Sequence, residues 1–312
     1  MNRYVVKRFI GLIVVLMGVS ILSFLMIEIS GTDPAEAIAR RASFNVTREQ
    51  IEVVRLELGL DRPIVERYFR WLAGILTGDA GMSTYSNRPV VEDLRVYLPI
   101  TLTLVGLSLA WVVLFALPVS LVCARYPGGI LDHVVRWLTL LGICTPTFWL
   151  GFMLLILFAV RTPIFSVLPE AGIKGYLLPS LTLAVPILSA GIRILRGSLL
   201  SEANRDYVTY LKARGHTKRD ILYRHMLPNA LPPIITLFCQ YLGYIIAGSA
   251  VVESVFSLKG IGTYLVGCIL AADSTAVAAC VLIVATVFVL ANLMGDLINR
   301  MICPWMVRET ND

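Results

Sequence analysis

The chain has 312 residues, of which 57% are hydrophobic and only 15% charged, against about 25% charge in an ordinary soluble domain. This composition excludes a soluble globular protein and calls for a lipid environment. The formal net charge of +6 would suit a nucleic-acid partner, but the basic residues sort by loop, so topology accounts for them and no nucleic-acid-binding feature remains.

The first element is an uncharged run of 19 residues from Phe9 to Ile27, preceded by Arg3, Lys7 and Arg8. It approaches the roughly 20 residues that cross hydrocarbon as a helix. The run is too long for a signal core, and Glu28-Ile29-Ser30-Gly31-Thr32-Asp33 lacks a small-x-small cleavage pattern, so residues 1–29 read as a cytoplasmic tail with a retained anchor. Residues 30–99 are polar yet patterned. Ile51, Val54 and Leu58, then Trp71, Leu72, Ile75 and Leu76, recur at helical spacing, with Asp61-Arg62-Pro63 and Gly78-Asp79-Ala80-Gly81 as turns, which predicts a small extracytoplasmic helical subdomain.

Four further charge-free runs, Val96–Ala124, Trp137–Val160, Pro233–Val252 and Ser274–Gly295, are each long enough to span. A shorter one, Leu177–Ile192, contains Pro179 and Pro186 and must borrow the first turns of the segment after it. The expectation is an all-α polytopic membrane protein with six transmembrane helices, five of them in a core over residues 100–300, and a cytoplasmic tail over 301–312. With the N-terminus inside, short inner loops and tails hold fifteen Lys and Arg and short outer loops three. Both termini are therefore expected in the cytoplasm.

The loop between the fourth and fifth spans, residues 197–232, is the most patterned polar stretch of the core. Tyr207, Val208 and Leu211 fall at helical spacing, Gly215 can end that helix, and a second amphipathic run from Ile221 to Met226 is expected to stop before Pro228. A helix, glycine turn and helix can transmit a rigid-body motion that a flexible loop would absorb.

Few residues offer chemistry. The six cysteines, Cys123, Cys144, Cys239, Cys268, Cys280 and Cys303, show no C-x-x-C pair and outline neither a disulfide framework nor a zinc site. His133, His216 and His225 all fall in cytoplasmic loops by this topology and read as solvated, so no metal site is expected. Cys144, Met153, Gln240, Ser249 and Glu253 are the candidates for lining a translocation pathway, because polar and sulfur groups in spans turn toward protein or water. The bland alternatives are gap-filling for the sulfurs, an interhelical hydrogen bond for Gln240, and a solvated or ion-paired carboxylate at the outer boundary for Glu253. The spans hold no nucleophile with a base and no paired carboxylates, which excludes a membrane enzyme. They hold no relay charges or internal repeats, which disfavours a channel or secondary transporter.

The loop resembles the cytoplasmic signature of the permeases of binding-protein-dependent ABC importers, in which Leu-Pro follows a Gly by twelve residues, as Leu227-Pro228 follow Gly215 here. The Glu-Ala-Ala that opens the general signature reads Thr209-Tyr210-Leu211. Tyr207-Val208 and Ala213-Arg214-Gly215 instead resemble the dipeptide, oligopeptide and nickel branch. Supporting matches run along the chain: Leu58-Gly59-Leu60-Asp61-Arg62-Pro63, Gly78-Asp79-Ala80-Gly81-Met82-Ser83, Pro146-Thr147-Phe148-Trp149 and Val252-Glu253-Ser254-Val255-Phe256. Three places depart: Leu258-Lys259-Gly260, Asp273-Ser274-Thr275 and Cys303-Pro304-Trp305.

The resemblance implies a type I (MetI-like) permease fold, working with a second homologous permease, two cytoplasmic ATPases and an extracytoplasmic solute-binding protein in a bacterial inner membrane. It implies that Tyr207, Ala213, Arg214, Gly215, Leu227 and Pro228 couple the chain to an ATPase. No G-x-x-x-x-G-K-[ST] occurs in the sequence, so ATP and Mg2+ are expected on the partner subunits, with no cofactor and no covalent chemistry on this chain. Within the branch, Asn45-Val46-Thr47, Arg88-Pro89-Val90 and Tyr207 to Leu211 look more like nickel or metallophore permeases than peptide ones, which places nickel or a nickel-type chelate ahead of short peptides as the expected cargo.

Overall fold

Long apolar runs become long helices because a backbone in hydrocarbon must satisfy its own hydrogen bonds. The computed structural model describes residues 2–29, 35–36, 47–57, 60–162, 164–170 and 172–302, with the side chains of 2–9, 57 and 244–247 outside that description. Asn45-Val46, Leu58-Gly59 and Cys303-Pro304-Trp305, which figured in the sequence reading, lie outside the described residues.

In chain order the helices are α1 (Asn2–Ile29), α2 (Arg48–Glu57), α3 (Ile64–Thr77), α4 (Val90–Arg125), α5 (Ile130–Cys144) and α6 (Thr147–Leu155), which runs on into a π-helical turn, Ile156–Arg161. There follow α7 (Lys174–Ala203), α8 (Asp206–Ala213) and α9 (Lys218–Asp220), the last continued by a second π-helical turn, Ile221–Met226, and by α10 (Leu227–Ala230). The chain closes with α11 (Pro232–Val255), α12 (Ile261–Leu270) and α13 (Ser274–Ile302). No strand forms among the described residues; Met82 and Pro89 make one isolated antiparallel bridge.

Four helices, α1, α4, α7 and α13, are each long and apolar enough to cross a membrane, and two bent pairs raise the number to six if each pair is one span. Large apolar side chains such as Val14, Leu22, Leu114, Trp137 and Leu141 stay exposed along them, as suits contact with hydrocarbon.

The bends correct two of the expected spans. Instead of one helix from Trp137 to Val160, α5 and α6 meet at 104°. Pro146 is the cause: a residue before proline is pushed out of the helical region, and Thr145 is extended at φ −81°, ψ 123°. The Thr145 hydroxyl donates back to the Leu141 carbonyl at 2.7 Å. The fifth span bends by 65° between Pro232–Gly243 and Gly248–Val255. By contrast the short run at Leu177 becomes the long helix α7, which holds Pro179 and Pro186 and gains its length from residues 193–203, as its sequence requires.

The chain divides into two units, Met1–Ile100 with Lys259–Val287, and Thr101–Leu258 with Phe288–Asp312. In the first, α1 packs on α3 through Phe24, whose ring lies 5.5 Å from that of Tyr68 and 5.7 Å from that of Trp71, and through an Arg67–Glu28 ion pair at 2.5 Å. The Gly78–Pro89 turn is clamped by buried Asp273, which accepts from Ser83 Oγ at 2.6 Å and the Tyr85 amide at 3.0 Å while capping α13 at the Ala276 amide, 3.1 Å away. Tyr264 stacks on Tyr97 at 4.8 Å and donates to Asp93 at 2.9 Å; burial pushes its phenol pKa up.

In the second unit α7 is the hub. Its neighbours approach closely where they or α7 carry glycine: a Cβ at Gly142 of α5 would strike Ser189, and one at Gly191 would lie 3.1 Å from the Phe238 ring of α11. From α4, Trp111 Nε1 donates to Ser180 Oγ at 3.1 Å and Ser120 Oγ to the Ile192 carbonyl at 3.2 Å. Small-residue packing and polar ties of this kind hold helices together where the hydrophobic effect is weak.

Candidate functional site

The loop after α7 is built as a jointed pair of helices. α8 ends in a full Schellman closure: the Gly215 amide donates to the Lys212 carbonyl at 3.0 Å and the His216 amide to the Leu211 carbonyl at 3.2 Å. Gly215 makes this closure at φ +83°, a left-handed conformation that glycine adopts without a Cβ penalty. Thr217 then caps the next helix, its hydroxyl accepting from the Asp220 amide at 3.2 Å.

That second helix does not stop before Pro228. It runs from Lys218 to Ala230 with a π-helical turn over Ile221–Met226 in its middle. The wide π turn just ahead of the proline eases the clash a proline ring makes with the carbonyl four residues back. Val208, Ile221, Leu222, Met226 and Ala230 are buried and anchor both helices. Ala213, Arg214 and Gly215 are exposed, whereas Tyr207, Leu227 and Pro228 are half-buried.

Several polar groups around the joint are paired. Tyr207 donates to Glu202 Oε2 at 2.7 Å, and burial, ahead of its hydrogen bonds, raises its phenol pKa. The Arg214 guanidinium lies 4.9 Å from the centre of the Tyr210 ring. His216 Nδ1 is 2.7 Å from Asp220 Oδ2, a hydrogen bond that holds the Asp220 carboxyl below its usual pKa. His216 and His225 read from the sequence as separately solvated, without a metal-binding role; the structure instead gathers them around Asp220, all three donor atoms within 4.8 Å of one another.

Of the pathway candidates, Ser249 and Glu253 come together. Both are fully buried, and Glu253 Oε1 accepts from Ser249 Oγ at 2.9 Å and from Thr101 Oγ1 at 2.7 Å. The solvated boundary carboxylate is thus not what forms, and Thr101, 152 residues away in sequence, was not legible as its partner. Cys144, Met153 and Gln240 are exposed in the single chain and do not join that cluster.

Another feature escaped the sequence reading. Asp132, 1% exposed, receives the Arg196 guanidinium in a two-pronged bond, Nε to Oδ1 at 2.5 Å and Nη2 to Oδ2 at 2.7 Å, and also the Gly128 amide at 3.0 Å. This pair ties the α4–α5 turn to α7 on the stretch leading into the loop. Its only sequence signal was an aspartate, five residues ahead of the charge-free run that begins at Trp137.

Long apolar helices, two bent pairs and a jointed polar loop fit a multi-pass membrane protein. Residues 116–308 match the family described as the binding-protein-dependent transport system inner membrane component, and residues 1–105 match the N-terminal segment of such membrane components. The glutathione transport system permease protein GsiC of Pectobacterium atrosepticum is 34% identical over 307 residues, covering 97% of this chain and 98% of that protein. Its counterparts in Escherichia coli K12, at 32%, and Salmonella paratyphi A, at 33%, each match over 304 residues, 97% of this chain and 98% of theirs. The chain belongs to the binding-protein-dependent transport permease family; it is the membrane component of an ABC importer, a transport subunit and not an enzyme.

Proposed function

We propose that the chain is one of two permease subunits of an inner-membrane importer for short peptides of about the size and polarity of glutathione. The observation that carries this reading is the end-to-end similarity to glutathione permeases, at 34% identity over 97% of the chain. It reverses the order of cargoes suggested by the sequence, where nickel or a nickel chelate stood ahead of peptides.

In this proposal a solute-binding protein delivers the peptide, both termini face the cytoplasm, and two separate ATPase subunits bind ATP and Mg2+. Residues 30–99 cap the outer face, residues 100–300 form the permease core, and 197–232 are its coupling loop. The loop would enter the ATPase surface with Ala213, Arg214 and Gly215 at its tip, while Tyr207, Leu227 and Pro228 brace it. The double anchoring by buried apolar residues supports this role, since a braced helix passes on displacement. Ser249 and Glu253 would lie beside the pathway, with Cys144, Met153 and Gln240 as further lining.

Uptake of labelled glutathione, of a dipeptide and of nickel by cells lacking the chain and then resupplied with it tests the cargo. Restored peptide uptake with nickel unchanged is expected. Restored nickel uptake with no peptide uptake would return the nickel reading to first place.

A further inference from the structure

We propose that His216, Asp220 and His225 bind a single divalent first-row transition ion of the zinc type. Their donor atoms already lie within 4.8 Å of one another, and the two imidazole rings stand 5.8 Å apart at 80°. On a regular α-helix Asp220 and His225 would point about 140° apart, at 100° per residue. The π-helical turn Ile221–Met226 narrows that mismatch, because its i→i+5 hydrogen bonds bring residue i+5 back toward the face of residue i. His216 is delivered from the other side by the left-handed turn at Gly215, φ +83°. Two backbone irregularities thus converge on one cluster. π turns are rare, occur mostly as single turns inside α-helices, and are frequent at functional sites.

The donor set decides the ion. Two imidazoles and one carboxylate suit zinc, nickel or cobalt, whereas magnesium and calcium take oxygen ligands. Ligands around tetrahedral zinc, each about 2.1 Å from the ion, lie about 3.4 Å from one another. The His216–Asp220 pair, at 2.7 Å, and the looser His225 reach that spacing by side-chain rotation. A fourth position is left to water, since His216 is exposed and the other two are half-buried. Arg224 Nε, 3.3 Å from Asp220 Oδ1, competes for the carboxylate, but its side chain is 81% exposed and has room to swing away.

An ion held here would fasten the residue after Gly215 to the π turn and freeze the joint between α8 and the second helix. It would thereby lower substrate-stimulated ATP hydrolysis. That consequence rests on the coupling role proposed above; the site itself does not.

The test uses the full chain in nanodiscs, purified without a polyhistidine tag, and titrates Zn2+ by calorimetry and Co2+ by visible absorption. One ion per chain is expected. H216A and H225A should each weaken binding by about tenfold or more, because losing even an outer-shell partner costs 10–100-fold in known sites. H133A should leave affinity unchanged, and R224Q should tighten it, which a merely structural histidine–carboxylate pair does not predict. H216Q serves where alanine disturbs the turn. Absence of saturable binding, or binding indifferent to H216A, H216Q and H225A, overturns the site. In the assembled transporter Zn2+ should lower stimulated hydrolysis with His216 present and not with H216Q; confirmed binding with unchanged hydrolysis would keep the ion site and overturn its link to coupling.

Discussion

Replacing Gly215 separates a working joint from a mere connector. A Cβ built at Gly215 meets nothing within 4 Å, so any effect of substitution comes from φ +83° and not from crowding. A left-handed conformation costs an ordinary L-residue about 1–2 kcal/mol, asparagine less, and a β-branched residue more. At about 1.4 kcal/mol per tenfold in an equilibrium constant, Gly215→Ala should depopulate the native turn several-fold and Gly215→Val by about tenfold or more. Gly215→Asn should stay nearest the parent. The assay is uptake and substrate-stimulated ATPase activity at equal membrane levels, with Cys280→Ala as a control for mild packing change. Activity should fall in the order Gly, Asn, Ala, Val while insertion is unchanged. Parent-like uptake in Gly215→Val would show that the turn transmits nothing.

Other perturbations probe the frame around it. Asp132→Ala leaves the Arg196 guanidinium, 19% exposed, without its buried partner, and should cost about 3–5 kcal/mol, read as a lower thermal midpoint of the purified protein; the double change D132L/R196M should recover most of it. Ala272 closes α12 at φ +53° as Gly215 closes α8, so Ala272→Gly should raise stability by about 0.5–1 kcal/mol in denaturant titration. Asp273→Ala strips partners from the Ser83 hydroxyl and the Tyr85 and Ala276 amides, at about 1–3 kcal/mol, and should expose the Gly78–Pro89 turn to proteolysis. For topology, cysteines placed at exposed Thr77 and Lys212 in a cysteine-free chain should be labelled from outside at Thr77 alone; labelling at Lys212 in intact cells would reverse the orientation.

What the sequence made legible was what depends on runs of residues. Uninterrupted apolar stretches foretold α1, α4 and α13, and the shortfall at Leu177–Ile192 foretold that α7 would borrow its last turns. Gly215 was readable because glycine is the residue that closes helices, and the structure places it there at φ +83°. Ser257 and Ala272 close α11 and α12 the same way at φ +55° and +53°, yet neither residue type announces it. Pro146 marked a break, but the 104° bend depends on which faces of α5 and α6 pack on α7. The pairs Asp132–Arg196 and Thr101–Glu253 are 64 and 152 residues apart, beyond any local pattern. His216 and Asp220 stand at i,i+4 spacing, but His225 falls off that face at α-helical spacing and joins them through a π turn, which has no sequence code as plain as a glycine or a proline.

Under the proposed function, this chain carries substrate through the membrane only when a separate motor hydrolyses ATP and a binding protein delivers the cargo. The most direct test is uptake of labelled glutathione into proteoliposomes holding the chain with its partner permease and ATPases, with ATP and the binding protein each supplied or withheld. Uptake is expected only when both are present, and is expected to be lost in Gly215→Val. Uptake that persists without ATP, or without the ATPase subunits, would contradict that function.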